Sequence, residues 1–174
     1  MEKQISALRA TAHPVRLRIL SLLTNTAMSA AEVARELEIS HASASYHLRT
    51  LLDVGELVEA GEEKIRGGVA KRYRYPHEHG GLPTAGPKPT REEFTAYLKA
   101  LHREVERRSQ LPRTGKVGYS SDIEGWVPPA IYQEAAALIS QASQLLHDHN
   151  AAPRTKGTIH ISATLTAFTL DGGS

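Results

Sequence analysis

The chain has 174 residues, 40% hydrophobic and 23% charged, enough to bury a core as one domain or two small ones. It contains no Cys, which excludes a disulfide framework and thiolate metal sites, and its formal net charge of +2 means that an anionic partner must be met by a local patch. No apolar run approaches the roughly 18 residues of a membrane span, and the N-terminus lacks a signal-peptide core, so a cytoplasmic protein without membrane contact is expected.

In chain order, a first helix carrying Ile5 and Leu8 is followed by "HPVRLRILSLL". That stretch sets Val15, Leu17, Ile19, Leu20, Leu22 and Leu23 on a broad apolar face, with Pro14 in the favoured first turn. Arg16 and Arg18 flank this face and are expected in surface ion pairs. Next, "MSAAEVARELEI" places Glu32 three residues after Ser29, the spacing of a capping box, and gives Val33, Ala34 and Leu37 as the buried stripe.

A connection of about three residues leads to "ISHASASYHLRTLLDVGELV". Ser40 is the expected N-cap, Ala44, Leu48, Leu51 and Leu52 the inward residues, and Gly55 the stop. The leading turns are crowded with short polar side chains. A helix that reads the DNA major groove needs donors and acceptors at its N-terminal end, where the backbone comes nearest the base edges. His41, Ser43, Ser45 and Tyr46 supply them, and Ala42 is small enough to approach or to meet a thymine methyl. Arg49 can reach a guanine or a phosphate, and the helix N-terminus at Ser40 favours phosphate. His47, beside core Leu48, is assigned to the scaffold rather than to reading.

Two strand-like runs follow, 57–60 and 71–75, with Gly61, Gly67 and Gly68 between them. From Lys64 to Arg74 there are five basic residues, Lys64, Arg66, Lys71, Arg72 and Arg74, and no acidic one. A basic hairpin after a helix pair is a wing able to lie along phosphates.

These stretches, above all "SASYHLRTLLDVGELVE" and "VAKRYRYP" with "LRATAHPVRLRILSLL" and "MSAAEVARELEIS", resemble the winged helix-turn-helix domain of ArsR-type bacterial transcriptional regulators over about residues 5–76. The resemblance implies that the helix at about 40–54 enters the major groove and that the hairpin touches flanking DNA. It also implies a homodimer on an inverted-repeat operator, acting as a repressor until a small-molecule effector lowers DNA affinity.

Residues 76–89 hold four Pro and three Gly, a density that defeats helix and strand alike. The chain is therefore expected to divide into a DNA-binding domain (1–76), a linker (77–89) and a C-terminal dimerisation and effector region (90–174). In that last region a charged helix at 90–110 carries Phe94, Leu98, Leu101 and Val105 as its apolar stripe. An extended stretch at 117–127 follows, then a helix opened by Pro128 and Pro129 and running to about 149. It carries Ile131, Ala135, Leu138, Ile139, Ala142, Leu145 and Leu146. The final run, "TIHISATLTAFTL", alternates Ile159, Ile161, Ala163, Leu165 and Ala167 with polar neighbours, the period of a half-buried strand. The expected fold class is mainly α with small β elements (α+β).

Two other readings compete. His77-Glu78-His79 and His147-Asp148-His149 have donors suited to zinc or nickel sensing, although residues two apart on a helix face different ways. A winged helix used only for protein–protein contact is the other. No nucleophile–base spacing, Gly-rich phosphate loop or metal motif points to an enzyme, and no cofactor or metal site is expected.

Overall fold

The computed structural model describes residues 6–65, 67–77, 89–112 and 118–170. The short helix α1 (Ala7–Thr11) is capped by Ser6, and α2 (Pro14–Leu23) by His13, whose Nδ1 accepts from the Val15 N–H at 3.2 Å. Strand β1 (Met28–Ser29) leads into α3 (Ala30–Leu37), where both halves of the Ser29–Glu32 capping box are made. A tight turn through Glu38, held at φ 55°, carries the chain into α4 (His41–Asp53).

Helix α4 ends in a Schellman motif. Gly55, at φ 79°, lets its own N–H reach the Leu52 carbonyl while the Glu56 N–H reaches that of Leu51, each at 3.0 Å. The chain then forms β2 (Val58–Ile65) and β3 (Gly68–Arg74), an antiparallel hairpin with β1 on the far side of β3, order β1-β3-β2. The strands run longer than the 57–60 and 71–75 expected, because a register shift between Glu59 and Glu62 at Gly61 (φ 110°) absorbs an irregularity that would otherwise end the ladder.

Ile19 and Leu23 of α2, Val33 of α3, Ala44, Leu48 and Leu51 of α4, and Leu57 are nearly inaccessible and form one core. Each large side chain among them contributes roughly 1.5–3 kcal/mol by leaving water. Tyr73 and Tyr75 of the hairpin stem close the core, and burial with Glu56 and Tyr97 nearby pushes the Tyr75 hydroxyl up to about 12.

Helix α5 (Arg91–Ser109), capped by a second box of Thr90 and Glu93, packs on α1 and α2. Its buried face is rotated from the expected one: Ala100 and Glu104 are covered, while Val105 is exposed. A small Ala100 allows close helix approach, and the Glu104 carboxylate tolerates its position through an ion pair with Arg107 at 2.8 Å.

Helix α6 (Pro129–Asp148) covers the expected span but buries none of its residues. Its C-terminal end is tied to the α2–β1 connection. The Asn25 amide donates to the His147 carbonyl, and the Asn150 amide donates to the Thr24 carbonyl at 2.9 Å. The strand expected at 158–170 is not formed among the described residues, and 118–127 likewise belongs to no helix or strand. No helix among the described residues is long and apolar enough to cross a membrane.

Candidate nucleic-acid interface

Helix α4 is two-faced. Ala44, His47, Leu48 and Leu51 are buried, whereas Ser40, His41, Ala42, Tyr46 and Arg49 are exposed and Ser43 and Ser45 half-exposed. His41, Ser45 and Arg49 fall at four-residue intervals, so they line one outward strip, with Ala42 and Tyr46 beside it. The Ser40 hydroxyl accepts from the Ser43 N–H at 3.1 Å and fixes the start of the helix. The structure thus brings all six expected base-reading residues onto or beside one accessible surface.

Beneath that surface His47 is buried, as its place beside Leu48 predicts, but with partners the sequence did not indicate. His47 is 8% exposed, 4.7 Å from the His13 ring centroid and edge-on to Tyr46 at 5.2 Å. Burial, then the neighbouring charges, hold both imidazoles below their usual pKa, so they stay neutral near neutral pH. Arg16, expected in a surface ion pair, lies partly buried at this cluster, and burial lowers its pKa. Neither its Nε nor the His47 Nδ1 has a hydrogen-bond partner among the described residues. Arg18 donates to the Leu37 carbonyl at 3.2 Å, tying α2 to the end of α3. The missed signal was the pair His13-Pro14, an N-cap followed by Pro, which sets an imidazole where α4 crosses α2.

On the wing, the five cations are not equivalent. Lys71 bonds Glu59 at 2.7 Å across the hairpin. Arg72 is held by three groups: the carboxylates of Glu63 on β2 and of Glu32 on α3 (the latter at 3.1 Å), and the Ala27 carbonyl. It therefore ties the wing to the helix pair. Glu32 is pushed up by burial, but hydrogen bonds from Ser29 and the nearby Arg72 outweigh that and hold it below the usual carboxylate range. Lys64 and Arg74 make no ion pair among the described residues, and Arg66 lies outside them. The short-range count from Lys64 onward overlooked Glu59, Glu62 and Glu63 on the facing strand.

The two histidine-rich stretches do meet: the His77 and His147 rings stack at 3.6 Å and 11°. Parallel rings direct their nitrogen lone pairs side by side rather than toward a common point, and the His147 Nδ1 is occupied with the Ser143 carbonyl at 2.8 Å. No group of three or more metal-binding side chains occurs among the described residues. Glu78 and His79 lie outside them. The hollows best formed among the described residues are open depressions along α5, one edged by Arg91, Glu92 and Lys99, unlike the enclosed apolar sites that hold small ligands.

A family model described as a helix-turn-helix domain matches residues 11–60. No curated protein matches the chain. Among solved structures, the chain is similar to the adhesin competence repressor AdcR from Streptococcus pyogenes, at 13% identity and a TM-score of 0.33, over 77% of this chain and 72% of that one. Residues 11–60 thus carry a helix-turn-helix domain, and the hairpin that follows makes it a winged one.

Proposed function

We propose that this chain is a dimeric, sequence-specific DNA-binding transcriptional regulator of ArsR type that works in the cytoplasm. Helix α4 enters the major groove, with His41, Ala42, Ser43, Ser45, Tyr46 and Arg49 offered to base edges. The observation that carries this reading is the division of α4 into a buried apolar face and an accessible polar face at its leading end. Surface helices in general share such a division; what favours reading here is that the polar end leads the second helix of a helix-turn-helix domain, ahead of a hairpin wing.

Ser40 and the wing serve the phosphates. Lys64, Arg66 and Arg74 do so directly, whereas Lys71 reaches them only by leaving Glu59, and Arg72 only by leaving Glu32, Glu63 and the Ala27 carbonyl. Residues 1–76 form the DNA-binding unit, 77–89 the linker and 90–174 the dimerisation region. In keeping with the resemblance, the protein represses its operator until a small-molecule effector lowers DNA affinity.

Selection of bound sites from random duplex DNA tests this. The expected result is convergence on an inverted repeat whose half-sites lie about one helical turn, roughly 34–36 Å, apart. A pool that never converges contradicts base reading.

A further inference from the structure

We propose that Arg16 is a DNA-backbone contact: its guanidinium, on the flank of α4 beside Tyr46, takes a phosphate on the lip of the groove that α4 enters. This rests on the DNA-reading function proposed above and adds to it a cation from outside both α4 and the wing.

Arg16 is a cation without an anion. It is half-buried and makes no ion pair among the described residues. It is also the one arginine among them with a buried nitrogen that lacks an acceptor. By contrast, Arg18, Arg72, Arg107, Arg108 and Arg154 are all engaged. Helix α2 carries no acidic residue, and α4 carries only Asp53, in its last turn. The groups around the guanidinium are His13, His47 and Tyr46. His13 caps α2 and His47 packs on it at 4.7 Å, so the charge rests on a layer of neutral imidazoles that cannot balance it.

Taking a cation partly out of water without a counter-charge is costly. Its place raises that cost, because Arg16 lies in the first turn of α2, at the positive end of the helix dipole. An incoming anion reverses both effects: the guanidinium gains a charge-assisted partner and the helix end a favourable neighbour.

The position identifies the anion. Tyr46 is 63% exposed beside the strip of His41, Ser45 and Arg49, and its ring meets His47 edge-on at 5.2 Å. Burial lowers the Arg16 pKa, and the Tyr46 hydroxyl is near enough to offset part of that. Arg16 therefore borders the flank of the reading face. A helix with its side chains is about 10–12 Å across and the major groove about 12 Å wide, so α4 fills the groove and its flanks meet the phosphates at the lips. A contact there fixes the register of α4 without reading sequence.

Anisotropy titrations of the full chain and of Arg16→Gln, on the selected site and on a random duplex over a range of salt, test the proposal alongside thermal unfolding without DNA. The variant is expected to bind both duplexes about five- to tenfold more weakly per copy bound in about 0.1 M salt. Its log–log salt slope should be shallower by about 1 per copy, with the Tm of the free protein unchanged or raised. A slope equal to that of the wild type overturns the contact whatever the Tm, and a loss confined to the selected site overturns it in favour of base reading. Equal binding of the wild type to both duplexes, with the variant's slope still shallower, sinks base reading and keeps the contact; a wild type that binds neither duplex sinks both. Should Arg16→Gln lose wild-type helical circular dichroism, the Arg16 Nε–H resonance of the wild type decides. A shift and slower exchange on adding the random duplex support the contact, and an unchanged resonance refutes it.

Discussion

Replacing Arg72 with Ala separates a clamp from a phosphate contact. The guanidinium sits between Glu32 on α3, Glu63 on β2 and the Ala27 carbonyl, with its side chain 26% exposed and the two carboxylate side chains 33% and 54% exposed. Ion pairs this accessible are screened, and each contributes about 0.5 kcal/mol. The charged hydrogen bond to Ala27 adds about 1 kcal/mol, and the packed alkyl stem a little more. The expected loss is about 1.5–2.5 kcal/mol, or about 3–10 °C in Tm for a chain of this size. Thermal unfolding followed by circular dichroism measures it, and a cycle with Glu63→Ala should return a coupling of about 0.5 kcal/mol. The log–log salt slope of DNA binding should change little. An unchanged Tm with a slope shallower by about 1 would refute the reasoning and make Arg72 a phosphate contact after all.

Further predictions concern the helix pair. Ser43→Ala and Arg49→Ala should each cost about 1–3 kcal/mol on the selected site and less on random DNA; equal losses on both, in anisotropy titrations, would remove them from base reading. Leu51→Ala, at a fully buried position, should destabilise by about 2.7–5 kcal/mol in urea unfolding, and a loss under 1 kcal/mol would mean the core is not closed there. The depressed pKa of His13 and His47 means that the unfolded chain binds more protons than the folded one. Their contribution to stability is complete above the ordinary imidazole value of about 6.5 and is lost as pH falls below it. His47→Leu should flatten the fall in Tm between about pH 7.5 and 5.5 while costing little at the upper end, because it also removes an unpartnered buried nitrogen. A slope identical to wild type would rule out this pair as the source.

The helix pair was legible in the sequence because its signals are local. Pro14, the Ser29–Glu32 box, Ser40 and Gly55 mark ends within a turn of where the backbone places them. What escaped depends on residues far apart in the chain. The two-residue β1 has no period to detect and exists only because Met28 and Ser29 lie opposite Tyr73 and Arg72. The buried face of α5 is chosen by α1 and α2, which prefer small Ala100 over the larger stripe at Phe94 and Leu98. Charge counted along the wing missed the cross-strand carboxylates that engage Lys71 and Arg72. At 158–170 the alternation pointed to a strand that the structure does not form, because a period alone supplies no neighbouring edge to pair with.

The central claim, that the exposed end of α4 reads DNA sequence, is tested most directly by titrating the protein against its selected site and a scrambled duplex over a range of salt. The account predicts tight binding to the selected site, weaker binding to the scrambled one, and a steep linear fall of log K with log salt for both. Equal affinity for the two duplexes at every salt concentration, or no binding to either, would contradict it.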